Sequence, residues 1–297
     1  MEKRIMWEIS INEYRAKLVE EEKSPGTIEK YTNYLKQFEQ FMAGEGLVKE
    51  KVIIYKRHLM ESYAPSSVNV ILSALNGFFR FVGRYDCLVK AVRVQRQIFR
   101  PRDRELSRAE YYRLVSAAER KGDRRLSLIM QTICSTGIRV SELRYISVEA
   151  LKAGRAGINM KGKCRQILIP KALVKTLLSY ASEHNIRSGS IFVTKKGNPM
   201  DRSNILHEMK KLCTLARVNK RKVFPHNLRH LFACLYYQAE KDLCHLADIL
   251  GHSSVETTRI YTSISGAAQQ RRIERLKLVA EPTQTPQNNH YAKNFYT

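Results

Sequence analysis

Three short stretches of this 297-residue chain gather side chains suited to phosphate chemistry. In Thr136-Gly137-Ile138-Arg139-Val140-Ser141-Glu142-Leu143, the glycine ends an apolar helical run and Arg139 follows at the turn, where its guanidinium can reach outward. In Pro225-His226-Asn227-Leu228-Arg229-His230-Leu231-Phe232, the residues His226, Arg229 and His230 fall at i, i+3 and i+4, on one helical face. In Leu250-Gly251-His252-Ser253-Ser254-Val255-Glu256-Thr257-Thr258-Arg259-Ile260-Tyr261, Gly251 ends one helix and Ser253-x-x-Glu256 reads as a capping box that opens another. That reading leaves His252 in a tight turn and Tyr261 about two turns into the new helix. Each stretch has a plainer reading when taken alone: Arg139 as a surface arginine, the histidines as a core or surface cluster, Tyr261 as a packing residue. The His226/His230 spacing also suits a pair of metal ligands. Asn227, however, stands where the zinc-protease signature needs a glutamate, and Arg229 between the histidines would repel a divalent cation, so no metal is expected.

Taken together, these residues supply what a metal-free phosphoryl transfer needs. A hydroxyl attacking a phosphodiester builds negative charge on the non-bridging oxygens, which two guanidiniums can clamp. A tyrosine hydroxyl, with a pKa of about 10, needs a histidine or cationic neighbour to help it lose its proton. The departing oxygen needs a proton, which a lysine can donate when nearby cations lower its pKa. Lys161-Gly162-Lys163, at the turn of an expected hairpin, holds two candidates. Lys161, which precedes the glycine, is preferred over Lys163.

The elements that must position these groups are mostly helical. Ser24-Pro25 is a helix opening, with serine as N-cap and proline at the first helical position, and Ile28, Tyr31, Leu35, Phe38 and Met42 follow at helical spacing. Val68, Ile71, Leu72, Leu75, Phe78, Phe79 and Val82 mark a second helix, and Ile11, Tyr14 and Leu18 a weaker one. A helical unit over 1–92 is expected. The basic, proline-broken stretch 93–105 reads as a linker, either laid along a phosphate backbone or simply solvated. A second domain over 106–280 opens at the capping box Ser107-Arg108-Ala109-Glu110. Only around Ile158–Pro170 does the period change to that of an antiparallel hairpin, with Ser190–Thr194 as a possible third strand. The polar, proline-interrupted 281–297 reads as a mobile tail. The expected class is therefore mainly α with a small antiparallel β-sheet.

Composition narrows the partner. With 52 Lys+Arg against 28 Asp+Glu the net charge is +24, spread along the chain, which favours a polyanion such as nucleic acid. No apolar run approaches the roughly 18 residues of a membrane span, and the N-terminus lacks the apolar segment of a secretory signal. Six cysteines without C-x-x-C pairing favour reduced thiols in the cytoplasm.

The ordered set Arg139, Lys161, His226, Arg229, His230, His252 and Tyr261, within the phrases T-G-I-R-V-S-E-L, H-N-L-R-H and L-G-H-S-S-V-E-T-T-R-I-Y, resembles the tyrosine recombinase (phage integrase) family, Xer-type members especially. The resemblance spans roughly residues 8–280. It implies a two-domain C-shaped clamp around double-stranded DNA, in which Tyr261 attacks the scissile phosphate to form a 3′-phosphotyrosyl link. A Holliday junction follows, without metal, ATP or other cofactor. It also implies that Arg139 and Arg229 clamp the phosphate, Lys161 protonates the leaving oxygen, and His226, His230 and His252 orient groups and buffer protons, with Glu142 orienting a neighbour. The hairpin departs from the family pattern G-K-G-x-K-x-R, because Met160 replaces the leading glycine. The absence of an arm-site-binding segment before the helical unit points to a simple Xer-like or transposon-type enzyme, serving chromosome-dimer resolution, integration or excision of a mobile element, or inversion. The implied partners are recombination sites, further copies of the chain (a dimer on each site, a tetramer in the synapse) and an accessory or partner recombinase. Residues Gly266–Val279 are the expected contact between copies, or else a helix packed in cis. Two alternatives stand beside this: a type IB-like DNA-relaxing enzyme, and a DNA-binding protein of the same fold that exchanges no strands.

Overall fold

The computed structural model describes residues 2–94, 104–160, 163–194, 197–261, 270, 273–276 and 278; the side chains of 2–9, 160, 163 and 164 are outside the description. Lys161, most of 93–105, most of Gly266–Val279 and all of 281–297 therefore lie outside the described residues. The chain divides into two compact units, 1–97 and 98–297.

The first unit is built from α1 (Glu2–Glu20), α2 (Pro25–Met42), α3 (Lys49–Ser62) and α4 (Pro65–Phe81). Ser24 caps α2 through Thr27 N–H, with Pro25 in the first turn, as the sequence predicts. The apolar stripes of the four helices meet in one core that includes Tyr14, Leu35, Phe38, Tyr55, Leu75 and Phe79. The chain leaving α4 is held back onto it by side-chain amides. Asn76 donates to Val89 O and accepts from Val89 N–H, while Asn69 does the same for Val92.

The second unit comprises α5 (Arg108–Arg120), α6 (Arg124–Thr136), α7 (Val148–Lys152), β1 (Arg155–Met160), β2 (Lys163–Leu168), α8 (Lys171–Glu183), α9 (Arg202–Lys211), α10 (Cys213–Ala216), α11 (Pro225–Glu240), α12 (Leu243–Leu250) and α13 (Val255–Thr258). Ser107 and Glu110 form the expected reciprocal cap on α5. Strands β1 and β2 pair antiparallel from Arg155↔Leu168 to Met160↔Lys163, burying Ala156, Ile158 and Ile167 on one face. The fold is thus mainly α with a two-stranded sheet.

The expected third strand is not formed among the described residues. Ser190 makes one bridge to Ser147, and Val193 one to Pro199. Thr194 N–H already bonds Asn198 O in a tight turn, and Pro199 has no N–H with which to extend a ladder.

Helices α6 and α11 pack together in the middle of the larger core, through residues such as Ile129, Ile133, Leu228 and Leu231. That packing carries the end of α6 and the first turns of α11 to the same place, next to the end of α12. The site is assembled there.

Candidate active site

Helix α6 ends at Gly137 in the left-handed conformation, φ 65°. The chain then turns extended at Arg139 into a 3₁₀ turn, Val140–Tyr145. The Glu142 carboxylate accepts the Arg139 backbone N–H at 2.7 Å and its guanidinium at 2.9 Å. Glu142 is buried, whereas the Arg139 side chain is 43% exposed, so the carboxylate aims a guanidinium toward solvent.

Helix α11 starts at Pro225 and presents His226, Arg229 and His230 in its first two turns. They do not share one environment: His226 is exposed, while Arg229 and His230 are buried. Arg229, only 1% exposed, donates to Gly137 O at 2.6 Å and Leu250 O at 2.7 Å. Burial, and after it the charge of Arg139, pull its pKa down to about 10, so it remains a cation at neutral pH. The Tyr261 phenol acts on it in the opposite sense, within electrostatic reach of the guanidinium.

Helix α12 closes on Gly251, φ 63°, with His252 N–H on Ala247 O and Gly251 N–H on Asp248 O. That motif leaves the next three carbonyls without helical donors. Each is taken by a different arginine: Ile249 O by Arg165, Leu250 O by Arg229 and Gly251 O by Arg139. Cations at a helix C-terminus are also favoured by its dipole. Arg165 and Arg139 both bond Glu142, and Arg229 lies 4.0 Å from it. Three guanidiniums thus face one carboxylate, a net charge of two positive within this group.

His252, in the turn after α12, has its Nε2 3.1 Å from Arg229 Nη2 and its Nδ1 2.9 Å from Thr258 Oγ1. Burial first, then the charges of Arg229, Arg139, Arg165 and His226, push its pKa down to about 4, so the ring is neutral at pH 7. Ser254, not Ser253, caps α13, accepting from Glu256 N–H. The helix ends after a single turn, and Tyr261 closes a 3₁₀ turn, Arg259–Tyr261, instead of lying in a continuing α-helix. The Tyr261 side chain is buried. It packs with Ala233, Leu246 and Leu250, lies parallel to the His252 ring (6.2 Å, 12°) and meets the His230 ring edge-on at 5.1 Å.

The structure therefore brings Arg139, Arg229, His230, His252 and Tyr261 together around the end of α12, with His226 in the first turn of α11. Lys161 lies outside the described residues, as does the Lys163 side chain. Sequence reasoning missed Arg165 and Thr258. The strand alternation that buries Ile167 also puts Arg165 on the core face, opposite Ile158, and a buried arginine calls for a carboxylate partner. Thr258 carried no such signal.

The model of the Phage integrase family matches residues 104–267, and that of the phage integrase N-terminal SAM-like domain matches residues 11–84. The chain belongs to the phage integrase family, the tyrosine site-specific recombinases. Within it the chain is Xer-like. It is 30% identical over 281 residues to tyrosine recombinase XerA of Thermococcus kodakarensis, covering 91% of this chain and 95% of that one. A crystal structure of XerA recombinase superposes with a TM-score of 0.51 at 26% identity, over 92% of this chain and 100% of that one. A lambda integrase tetramer bound to a Holliday junction shares the fold, with a TM-score of 0.70 at 18% identity over 86% of this chain and 76% of that one.

Proposed function

We propose that this recombinase cleaves and rejoins duplex DNA at specific sites with Tyr261 as nucleophile. The Tyr261 Oη–P bond forms as the P–O5′ bond breaks, leaving a 3′-phosphotyrosyl link and a 5′-hydroxyl. Arg139 and Arg229 neutralise the charge that builds on the non-bridging oxygens. The phenolic proton passes to the histidine cluster through His226 or His230, with the neutral His252 orienting the phenol, and O5′ takes a proton from Lys161, with Lys163 as the alternative donor. A 5′-hydroxyl from a second duplex then attacks the phosphotyrosine, giving a Holliday junction and finally recombinants. Each step exchanges one phosphoester for another of similar energy, so neither metal nor ATP is called for.

The observation that supports this most directly is the parallel stacking of the Tyr261 ring on His252, whose Nε2 is bonded to Arg229. A nucleophile, a neutral imidazole that orients it and an anion clamp thus adjoin. Residues 1–92 and 106–280 act as two domains that each contribute to binding DNA, separated by the basic stretch 93–105. By analogy with the lambda integrase tetramer on its junction, the working unit is a dimer on each site and a tetramer at synapsis, with room for an accessory or partner recombinase. DNA as substrate also fits the cytoplasmic location expected from the cysteines.

The test is a nicked suicide duplex incubated with the protein in EDTA and resolved on a denaturing gel. Wild type gives a covalent protein–DNA band and Tyr261→Phe gives none. A band from Tyr261→Phe would move the nucleophile to another tyrosine, such as Tyr291 or Tyr296, and overturn the assignment. Exchange between two sites, as opposed to relaxation alone, separates recombination from a DNA-relaxing activity.

A further inference from the structure

Arg165 is out of place by the logic of folding alone. It sits on β2 directly opposite Ile158, on the face where Ala156 and Ile167 are buried, and its side chain is only 11% exposed. A leucine or isoleucine would suit that face, and a buried guanidinium carries a desolvation cost that an apolar residue avoids. What the arginine adds is connection. Its Nη2 bonds Glu142 Oε2 and its Nη1 bonds Ile249 O. Its aliphatic stem runs so close to Gly251 that a Cβ there would stand 2.6 Å from Arg165 Cδ. The other Glu142 oxygen holds the Arg139 guanidinium at 2.9 Å.

We propose that Arg165 is a positioning residue that ties the β1–β2 hairpin to the phosphate-facing guanidinium of Arg139 through the shared carboxylate of Glu142. This rests on the functional reading above, in which a lysine of that hairpin, Lys161 or Lys163, donates the proton to O5′. Arg165 is two residues along β2 from Lys163. Turned from solvent and engaged at both ends of its fork, it does not clamp the phosphate itself. It ties the hairpin that carries the proton donor to the arginine that holds the phosphate, so that both serve one phosphodiester.

The experiment compares two suicide duplexes, one ordinary and one with sulfur in place of O5′ at the scissile bond. In the second, the Tyr261 Oη–P bond forms as P–S breaks, and sulfur departs as a thiolate. With a thiol pKa near the cysteine value of about 8.5, it needs no proton donor. Arg165→Lys keeps the charge without the two-pronged fork, and Arg165→Leu suits the buried face. On ordinary DNA both variants form the covalent complex on the order of 10- to 100-fold more slowly than wild type, part of the roughly 10²- to 10⁴-fold that a well-placed general acid contributes. On the sulfur duplex they return to within a few-fold of wild type, while Arg139→Ala stays slow on both. Variants equally slow on both duplexes, or normal on both, would overturn the proposal. If wild type forms no complex on either duplex, the functional reading itself fails. Thermal unfolding checks that each variant is folded, and Arg165→Lys carries the comparison should Arg165→Leu not fold.

Discussion

Arg229 Nη2 lies 3.1 Å from His252 Nε2, and this contact fixes the protonation state of the imidazole. A guanidinium only donates, so Nε2 is the acceptor. The ring proton is therefore on Nδ1, where it is donated to Thr258 Oγ1 at 2.9 Å. His252 is held neutral by its neighbours and oriented from both sides, with its face against Tyr261.

This arrangement gives stability a pH dependence of known sign. In the folded chain His252 resists protonation until about pH 4, whereas the unfolded chain takes the proton near its usual 6.5. The unfolded state binds more protons between those values, so stability falls as pH drops from 6.5 toward 4 and this contribution levels off below. Urea unfolding at about pH 7 and about pH 4.5 should show a smaller loss for His252→Asn than for wild type. Equal losses would assign the dependence to other groups.

Glu142→Gln removes the charge that three guanidiniums face. Breaking one side of a buried ion pair costs about 3–5 kcal/mol, so a large drop in the denaturation midpoint is expected. Covalent-complex formation should fall as well, because Arg139 loses the partner that aims it. Unchanged cleavage in Glu142→Gln would separate Arg139 from that carboxylate.

Arg229→Ala strips the donor from two buried carbonyls, Gly137 O and Leu250 O, at a cost of about 1–3 kcal/mol each. It should lower stability and slow covalent-complex formation by roughly 10²–10³-fold, with DNA binding far less affected. Arg229→Lys keeps the charge but cannot serve both carbonyls and His252, so it recovers stability before it recovers rate. A fully active Arg229→Lys would count against the forked geometry.

The two helix-ending glycines should fail differently. An alanine at Gly137 combines a φ of +65° with a Cβ 2.4 Å from the Phe232 ring, so strain and overpacking add, each on the order of 1–3 kcal/mol. At Gly251, also at positive φ, the Cβ meets instead the Arg165 side chain, whose displacement disturbs its bonds to Glu142 and Ile249 O more than the packing of the core. Gly137→Ala should therefore show the larger fall in melting temperature. Gly251→Ala should show the larger fall in cleavage rate relative to its stability loss.

Features written in side-chain type and spacing were legible in the sequence. The caps at Ser24 and Ser107, the glycines at 137 and 251, and the hairpin each follow from local chemistry and stand in the structure. Other features depended on context. Helix α3 has Val48 at its N-cap with no side-chain bond, so its start carried no signal. The capping residue of α13 shifted from Ser253 to Ser254, and the expected helix over Tyr261 became a 3₁₀ turn, because packing of that ring against α11 and α12 prevailed over local preference. Arg165 escaped notice because its partners, Glu142 and Ile249 O, lie 23 and 84 residues away in sequence.

The three arginines at the end of α12 take hold of main-chain oxygens, which every residue possesses. Ile249 and Leu250 can therefore exchange for other apolar residues with little consequence for the guanidiniums. Deleting or inserting a single residue before Gly251 would shift all three oxygens at once and leave each arginine facing the wrong one. In this part of the chain, length is constrained more tightly than identity.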